Sequence, residues 1–158
     1  MMAKTSYVIA LGSNRRHHRH SSPDAVLAAA RGQLAESGLA IRAIAPIFRT
    51  AAVGPAGRSF ANSAILVETD LDPPALLRLL KGVERAFGRR RGRRWGARVL
   101  DLDIILWSGG TWQSGGLRIP HPAFAERRFV LDPVLAIAPG WRAGGLTMRH
   151  HHARLTRP

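Results

Sequence analysis

The chain contains no cysteine, which removes disulfides and thiol chemistry and leaves the compartment open on that count. It is nearly without lysine: Lys4 and Lys81 stand alone, so 22 of its 24 basic residues are arginine. Acidic residues number only 10, so a carboxylate inside an apolar run is conspicuous. No apolar run approaches the roughly 20 residues of a membrane-crossing helix. The N-terminus lacks the basic, apolar, small-residue order of a secretory signal, and a cytoplasmic location is the expectation. There is no GxxxxGK[ST] loop, so a P-loop mechanism is excluded. Internal repeats are absent as well.

What is present is a globular composition, 46% hydrophobic and 22% charged over 158 residues. That length suits one domain over 1–158, able to bury a core without staples. Residues 142–158 have the composition of a basic, flexible tail. The net charge of +14 and pI near 11.9 would attract a polyanion: nucleic acid, an anionic membrane or a polyphosphate. Arginine, with its bidentate fork, suits phosphate oxygens.

The most informative stretch is RRRGRRWGARVLDLDIILW, Arg89 to Trp107. Val99 to Trp107 is rich in β-branched and apolar residues and reads as a strand, interrupted only by Asp101 and Asp103. Positions i and i+2 of a strand leave on one face, roughly 7 Å apart along the backbone, so these carboxylates converge. Two such charges in an apolar strand are costly unless a cation lies between them. Mg²⁺ favours one or two carboxylates plus phosphate oxygens, and the arginine-rich loop beside them points to a polyphosphate site.

Elsewhere, Ser6–Leu11 reads as a strand followed by the turn formers Gly12, Ser13 and Asn14. The basic segment Arg15–His20 reads as a polar loop. Ser22, Pro23 and Asp24 open a helix over Ala25–Glu36 that Gly38 ends. Leu39–Phe48 is a second strand, with Pro46 demoting its end to an edge or bulge. Phe60–Thr69 is a third strand with Phe60 and Asn62 on one face. A buried amide such as Asn62 needs partners and is suited to reading a ligand's donors and acceptors. Asp72 caps a second helix, Ala75–Phe87, on which Lys81 and Glu84 lie one turn apart and read as a surface pair. His121 is held between Pro120 and Pro122. This order of strands and helices describes an α+β, ferredoxin-like sandwich: an antiparallel sheet, helices packed on one face, the other face free.

These residues resemble a known family, the 6-hydroxymethyl-7,8-dihydropterin pyrophosphokinases of folate biosynthesis. RWGARVLDLDI at Arg94 to Ile104 is similar to the family's RWGPRTLDLDI. ALGSN, FRT with Gly54, FAN, VET, the helix pattern from Leu76 to Arg89, IPHP, RRFVL and IAP.W follow in the family's order across residues 7–141. The resemblance implies transfer of a pyrophosphoryl group from ATP to the pterin hydroxymethyl oxygen, with Asp101 and Asp103 bridging two Mg²⁺ ions. Arg94 and Arg98 would be catalytic arginines on a mobile active-site loop containing Gly92 and Gly96. The ATP side would comprise Arg91, Arg94, Trp95, Arg98, Ile104, His121, Arg127, Lys81 and Glu84. The pterin pocket would comprise Thr50, Val53, Phe60, Asn62, Phe129 and Trp95, with two aromatic rings sandwiching the heterocycle. The substrates would be small molecules, with no nucleic acid or membrane partner, and the chain is expected to be a monomer. Ala97 replaces the family's proline, and Lys81 stands where glutamine is common. Two rivals remain from the residues alone: an RNA-binding ferredoxin-like module, weakened by the two aspartates and the lack of an RNP1-type strand, and a metal-dependent phosphoesterase.

Overall fold

A computed structural model describes residues 3–13, 22–50, 60–88 and 99–157. Two helices rest on one face of a five-stranded antiparallel sheet. The strands are β1 (Thr5–Ser13), β2 (Ala40–Ile44), β3 (Phe48–Thr50), β4 (Phe60–Thr69) and β5 (Asp101–Trp107). Their order is β2-β4-β1-β5, with β3 also pairing β4. This is the α+β arrangement that the element order predicts, with β5 at an edge. Proline splits the predicted second strand: Pro46 has no N–H for the ladder. Just before it, Ala45 keeps both backbone groups on β4, donating to the Ala64 carbonyl at 2.9 Å and accepting from the Ser63 hydroxyl at 2.8 Å.

Helix α1 (Pro23–Glu36) begins where its cap dictates, with the Ser22 hydroxyl accepting from Ala25 N–H at 3.1 Å. Helix α2 (Pro73–Gly88) begins likewise, Asp72 accepting from Ala75 N–H at 2.9 Å. Each cap satisfies an orphan donor of a helical first turn. Their apolar stripes, Val26, Leu27, Ala30 and Leu34 from α1 and Leu76, Leu80, Val83 and Phe87 from α2, close over Tyr7, Ile9, Leu11, Ile65, Val67, Leu102 and Ile104. Tyr7 is fully buried, its hydroxyl donating to the Leu71 carbonyl at 2.7 Å, and desolvation pushes its pKa up to about 12.

The opposite face, expected to be free, is free only in part. After the hairpin β6 (Trp112–Ser114) and β7 (Leu117–Ile119), a short 3-10 turn (Phe124–Glu126) leads into α3 (Arg128–Ile137). The basic tail then forms a hairpin, β8 (Arg142–Ala143) and β9 (Leu146–Thr147), and a helix, α4 (Met148–Leu155). Val130, Leu131 and Val134 of α3 with Met148 of α4 cover Val8, Ala64, Ile105 and Leu106 as a second core. The reason is apolar content that a free face would have wasted: Met148 is completely buried in a segment that otherwise reads as basic and polar. Among the described residues no helix is long and apolar enough to cross a membrane.

A bulge sets the boundary between the two regions of β5. Ile104 pairs with Ile9, but Leu106, not Ile105, pairs with Val8. Two residues of β5 thus oppose one of β1, and Ile105 and Leu106 both enter the second core. Beyond the bulge Trp107 returns to the first core's side and stacks on Tyr7, centroids 6.0 Å apart.

Candidate active site

Among the described residues, the part of the sheet left uncovered lies where β1, β4 and β5 run past the second core. Strand register decides what stands there. Gly12 pairs with Asn62 on one side and Asp101 on the other, and Asn62 pairs in turn with Phe48. The next row brings Ala10 between Ala64 and Asp103. Adjacent strands lie about 4.8 Å apart, so Asn62 and Asp101 stand roughly 10 Å apart across Gly12. An ideal Cβ on Gly12 would come within 3.1 Å of Asn62 Oδ1. The missing side chain therefore leaves room for the amide to lie over β1, between its own strand and the carboxylates. Gly12, read in the sequence only as a turn former after the strand, is the residue that reasoning missed. A glycine inside a strand as a mark of close approach was the available signal.

Alternation puts Asp101 and Asp103 on this face and Leu102 and Ile104 on the other, as expected. Asp101 is exposed and Asp103 half-buried, whereas Leu102 is fully buried and Ile104 only 3% exposed. The Ile104 side chain thus belongs to the core beneath the site and has little surface for a nucleotide. Among the described residues no three His, Asp or Glu side chains converge as a metal cluster. A cation on Asp101 and Asp103 would therefore draw its remaining ligands from phosphate and water, and Mg²⁺ fits that donor set.

Phe60 is two positions before Asn62 on the same face of β4 and 39% exposed. Phe129, in the first turn of α3, is 45% exposed, and α3 packs on both β3 and β4. Two large rings left in solvent beside a polar row are suited to a flat apolar ligand. The Arg127 guanidinium sits 5.7 Å from the Phe129 ring centroid, a cation–π contact that keeps both groups together. Thr50 enters through its backbone, which pairs with Phe60. Beside it, Arg49 binds Asp24 of α1 with both Nε and Nη2, tying β3 to the first helix. That guanidinium holds the Asp24 carboxyl below the usual carboxylate range.

His121 lies along the outer edge of β5: its N–H donates to the Ile105 carbonyl at 3.1 Å. Its Nδ1 accepts from Ala123 N–H at 3.2 Å, so the neutral ring carries its proton on Nε2, which is the nitrogen available as a donor. The preceding Ile119–Pro120 bond is cis. Lys81 and Glu84 of α2 are paired at 3.1 Å, as read from the sequence, with Lys81 at the surface and Glu84 largely withdrawn from it. Glu84 is only 11% exposed, and its second oxygen accepts the Leu102 N–H at 2.7 Å. The histidines of α4 diverge to separate partners: His150 to Thr147, His151 to the Ala143 carbonyl and His152 to Asp132. Val53, Arg91, Arg94, Trp95 and Arg98, with the glycines of the arginine loop and the histidines of 15–20, lie outside the described residues.

Comparison with known proteins agrees with this geometry. The family model for 7,8-dihydro-6-hydroxymethylpterin-pyrophosphokinase (HPPK) matches residues 8–139. A 2-amino-4-hydroxy-6-hydroxymethyldihydropteridine pyrophosphokinase of Methylorubrum extorquens is 38% identical over 133 residues, covering 83% of this chain and 84% of the relative. One of the same name from Synechocystis is 37% identical over 115 residues, and the match covers 70% of this chain and 59% of that protein. Among solved structures, Plasmodium falciparum HPPK-DHPS, crystallised with pterin and p-hydroxybenzoate, aligns with a TM-score of 0.72 at 14% identity. That alignment covers 98% of this chain and 43% of the Plasmodium chain, a likeness of fold. With its aspartates, asparagine and Phe60 on one sheet face, Phe129 on the helix beside it and its family match running from β1 to the end of α3, the chain belongs to the 7,8-dihydro-6-hydroxymethylpterin-pyrophosphokinase family.

Proposed function

We propose that this protein transfers the pyrophosphoryl group of ATP to 6-hydroxymethyl-7,8-dihydropterin, releasing AMP, as a step in folate biosynthesis. The observation that carries the reading is the row Asn62–Gly12–Asp101, with Asp103 in the next row, on the uncovered face of the sheet. An amide that can read a heterocycle's edge stands across one glycine from the carboxylates that suit a metal–polyphosphate.

In this reading the pterin lies between the Phe60 and Phe129 rings, with Thr50, Val53 and Trp95 completing its pocket. Asn62 matches its amide-like edge with one donor and one acceptor. Asp101 and Asp103 hold two Mg²⁺ ions with ATP, which would screen the negative charge that shifts among the phosphate oxygens. The hydroxymethyl oxygen attacks the β-phosphorus in line. The bond from that phosphorus to the α,β-bridging oxygen breaks, and AMP leaves with the electron pair. The hydroxyl proton passes to solvent. His121, through Nε2–H, and Arg127 donate to phosphate oxygens from the far side of β5. Arg91, Arg94 and Arg98 grip the phosphates from the loop, Trp95 excludes water, Lys81 and Glu84 belong to the nucleotide side, and Ile104 supports the site from the core beneath.

The test is the identity of the nucleotide product. Purified protein with MgCl₂, ATP and the reduced hydroxymethylpterin is expected to yield AMP and the pterin diphosphate. Formation of ADP, release of inorganic phosphate without pterin modification, or stoichiometric RNA binding without turnover would each overturn the reading.

A further inference from the structure

Glu84 is a buried acid that does not face the open side of the sheet. Helix α2 packs on the opposite face, over Leu102 and Ile104. Both carboxylate oxygens are engaged there, Oε1 by the Lys81 ammonium at 3.1 Å and Oε2 by the Leu102 N–H at 2.7 Å. The second bond is informative because, among the described strands, β5 pairs with β1 alone and is an edge strand. An outward N–H on such a strand needs a partner from elsewhere, and α2 supplies a carboxylate. The peptide it grips joins Asp101 to Leu102, directly between the two acids of the candidate metal platform.

We propose that Glu84, besides standing on the nucleotide side, is a positioning residue for Asp101 and Asp103, acting through the Leu102 backbone. The proposal rests on the reading that these carboxylates hold Mg²⁺ with ATP. Leu102 and Ile104 fix the strand from beneath and β1 holds its inner edge, which leaves the outer edge at Leu102 to be tied. The charge-assisted bond to Glu84 fixes it in the plane of the sheet. Both aspartates depart from the backbone on either side of that fixed peptide, so a rotation there would swing them in opposite senses. Mg²⁺ tolerates little of this, since it demands near-octahedral geometry at about 2.0–2.1 Å. Lys81 restrains the other oxygen, so the Glu84 side chain is itself held at both of its acceptor atoms. The same bond joins the last turns of α2 to the start of β5, so the helix and the platform move as one body.

The test uses Glu84→Ala and Glu84→Gln, the latter retaining an acceptor for the Leu102 N–H. In the metal-free protein, amide exchange followed by NMR should find Leu102 protected in wild type and in Glu84→Gln, and fast in Glu84→Ala. In the AMP-forming assay, Glu84→Ala should raise the half-saturating Mg²⁺ concentration about tenfold or more, the usual scale for loss of a residue that orients metal ligands. The pterin KM should stay unchanged, and Glu84→Gln should recover most of the loss. Equal Leu102 protection in wild type and Glu84→Ala would overturn the proposal whatever the protein's activity. A raised KM for ATP with unchanged Mg²⁺ dependence would also overturn it, by limiting Glu84 to the nucleotide. If Leu102 exchanges as expected but Asp103→Ala keeps wild-type Mg²⁺ dependence, the platform reading fails, and the positioning role falls with it.

Discussion

The same three strands, β1, β4 and β5, behave differently at their two ends. Around Val8, Ala64 and Leu106 the sheet is covered on both faces: α1 and α2 close one side, and α3 with α4 close the other. Around Gly12, Asn62 and Asp101 the described residues close only the α1 and α2 side. The residues follow the cover. On the shared helix face the run Leu11, Leu102, Ile104 stays apolar to the end of the strands, while the other face changes from Val8, Ala64 and Ile105 to Gly12, Asn62, Asp101 and Asp103. One end of a sheet is thus a packed interior and the other a binding surface carried on it. The lesson is that the site's rigidity is borrowed: among the described residues its polar row is held by the core beneath and by ties such as Glu84.

If that division is right, the largest effect should come from beneath the row. Leu102→Ala removes a fully buried side chain and should destabilise the fold by about 2–5 kcal/mol, read as a shift of the denaturation midpoint. A loss under about 1 kcal/mol, the scale of a surface change, would mean that the platform is not anchored there. Next is the row itself. Asp101→Ala changes an exposed residue and should leave the denaturation midpoint nearly unmoved, while turnover falls on the order of a hundred-fold, the scale of losing one electrostatic contact to developing charge. Near wild-type turnover would remove Asp101 from the metal site. The smallest expected effect is Gly12→Ala, whose new Cβ meets Asn62 Oδ1 at 3.1 Å. Displacing that amide should raise the pterin KM by roughly tenfold, about the value of one hydrogen bond, with little change in the half-saturating Mg²⁺ concentration. A change in Mg²⁺ dependence instead would mean that the two halves of the row are coupled through β1.

Much of this was legible in the residues. Capping by Ser22 and Asp72, the apolar stripes of α1 and α2, and the shared face of Asp101 and Asp103 are local consequences of spacing and side-chain chemistry, so short windows suffice to read them. Helix α3 is hard to read from the residues because Pro133 stands inside it. The buried role of α4 was hidden because Met148 is its only fully buried residue, followed by Arg149 and three histidines. Glu84 and Lys81 were readable as a pair because they are one turn apart. The Leu102 N–H that Glu84 also binds lies 18 residues away, beyond any local pattern.

By itself the sequence determined the strands and helices, the antiparallel α+β order, and which aspartates share a face, because the periods of 2.0 and 3.6 residues are properties of each element alone. It also carried the family's motifs. Tertiary structure decided which strand positions became neighbours, since register is fixed only when apolar faces of separate strands are buried together. That pairing set Gly12 between Asn62 and Asp101. It also decided how far the second core extends, and so where covered sheet gives way to the open row, because cover depends on where α3 and α4 find apolar surface to bury.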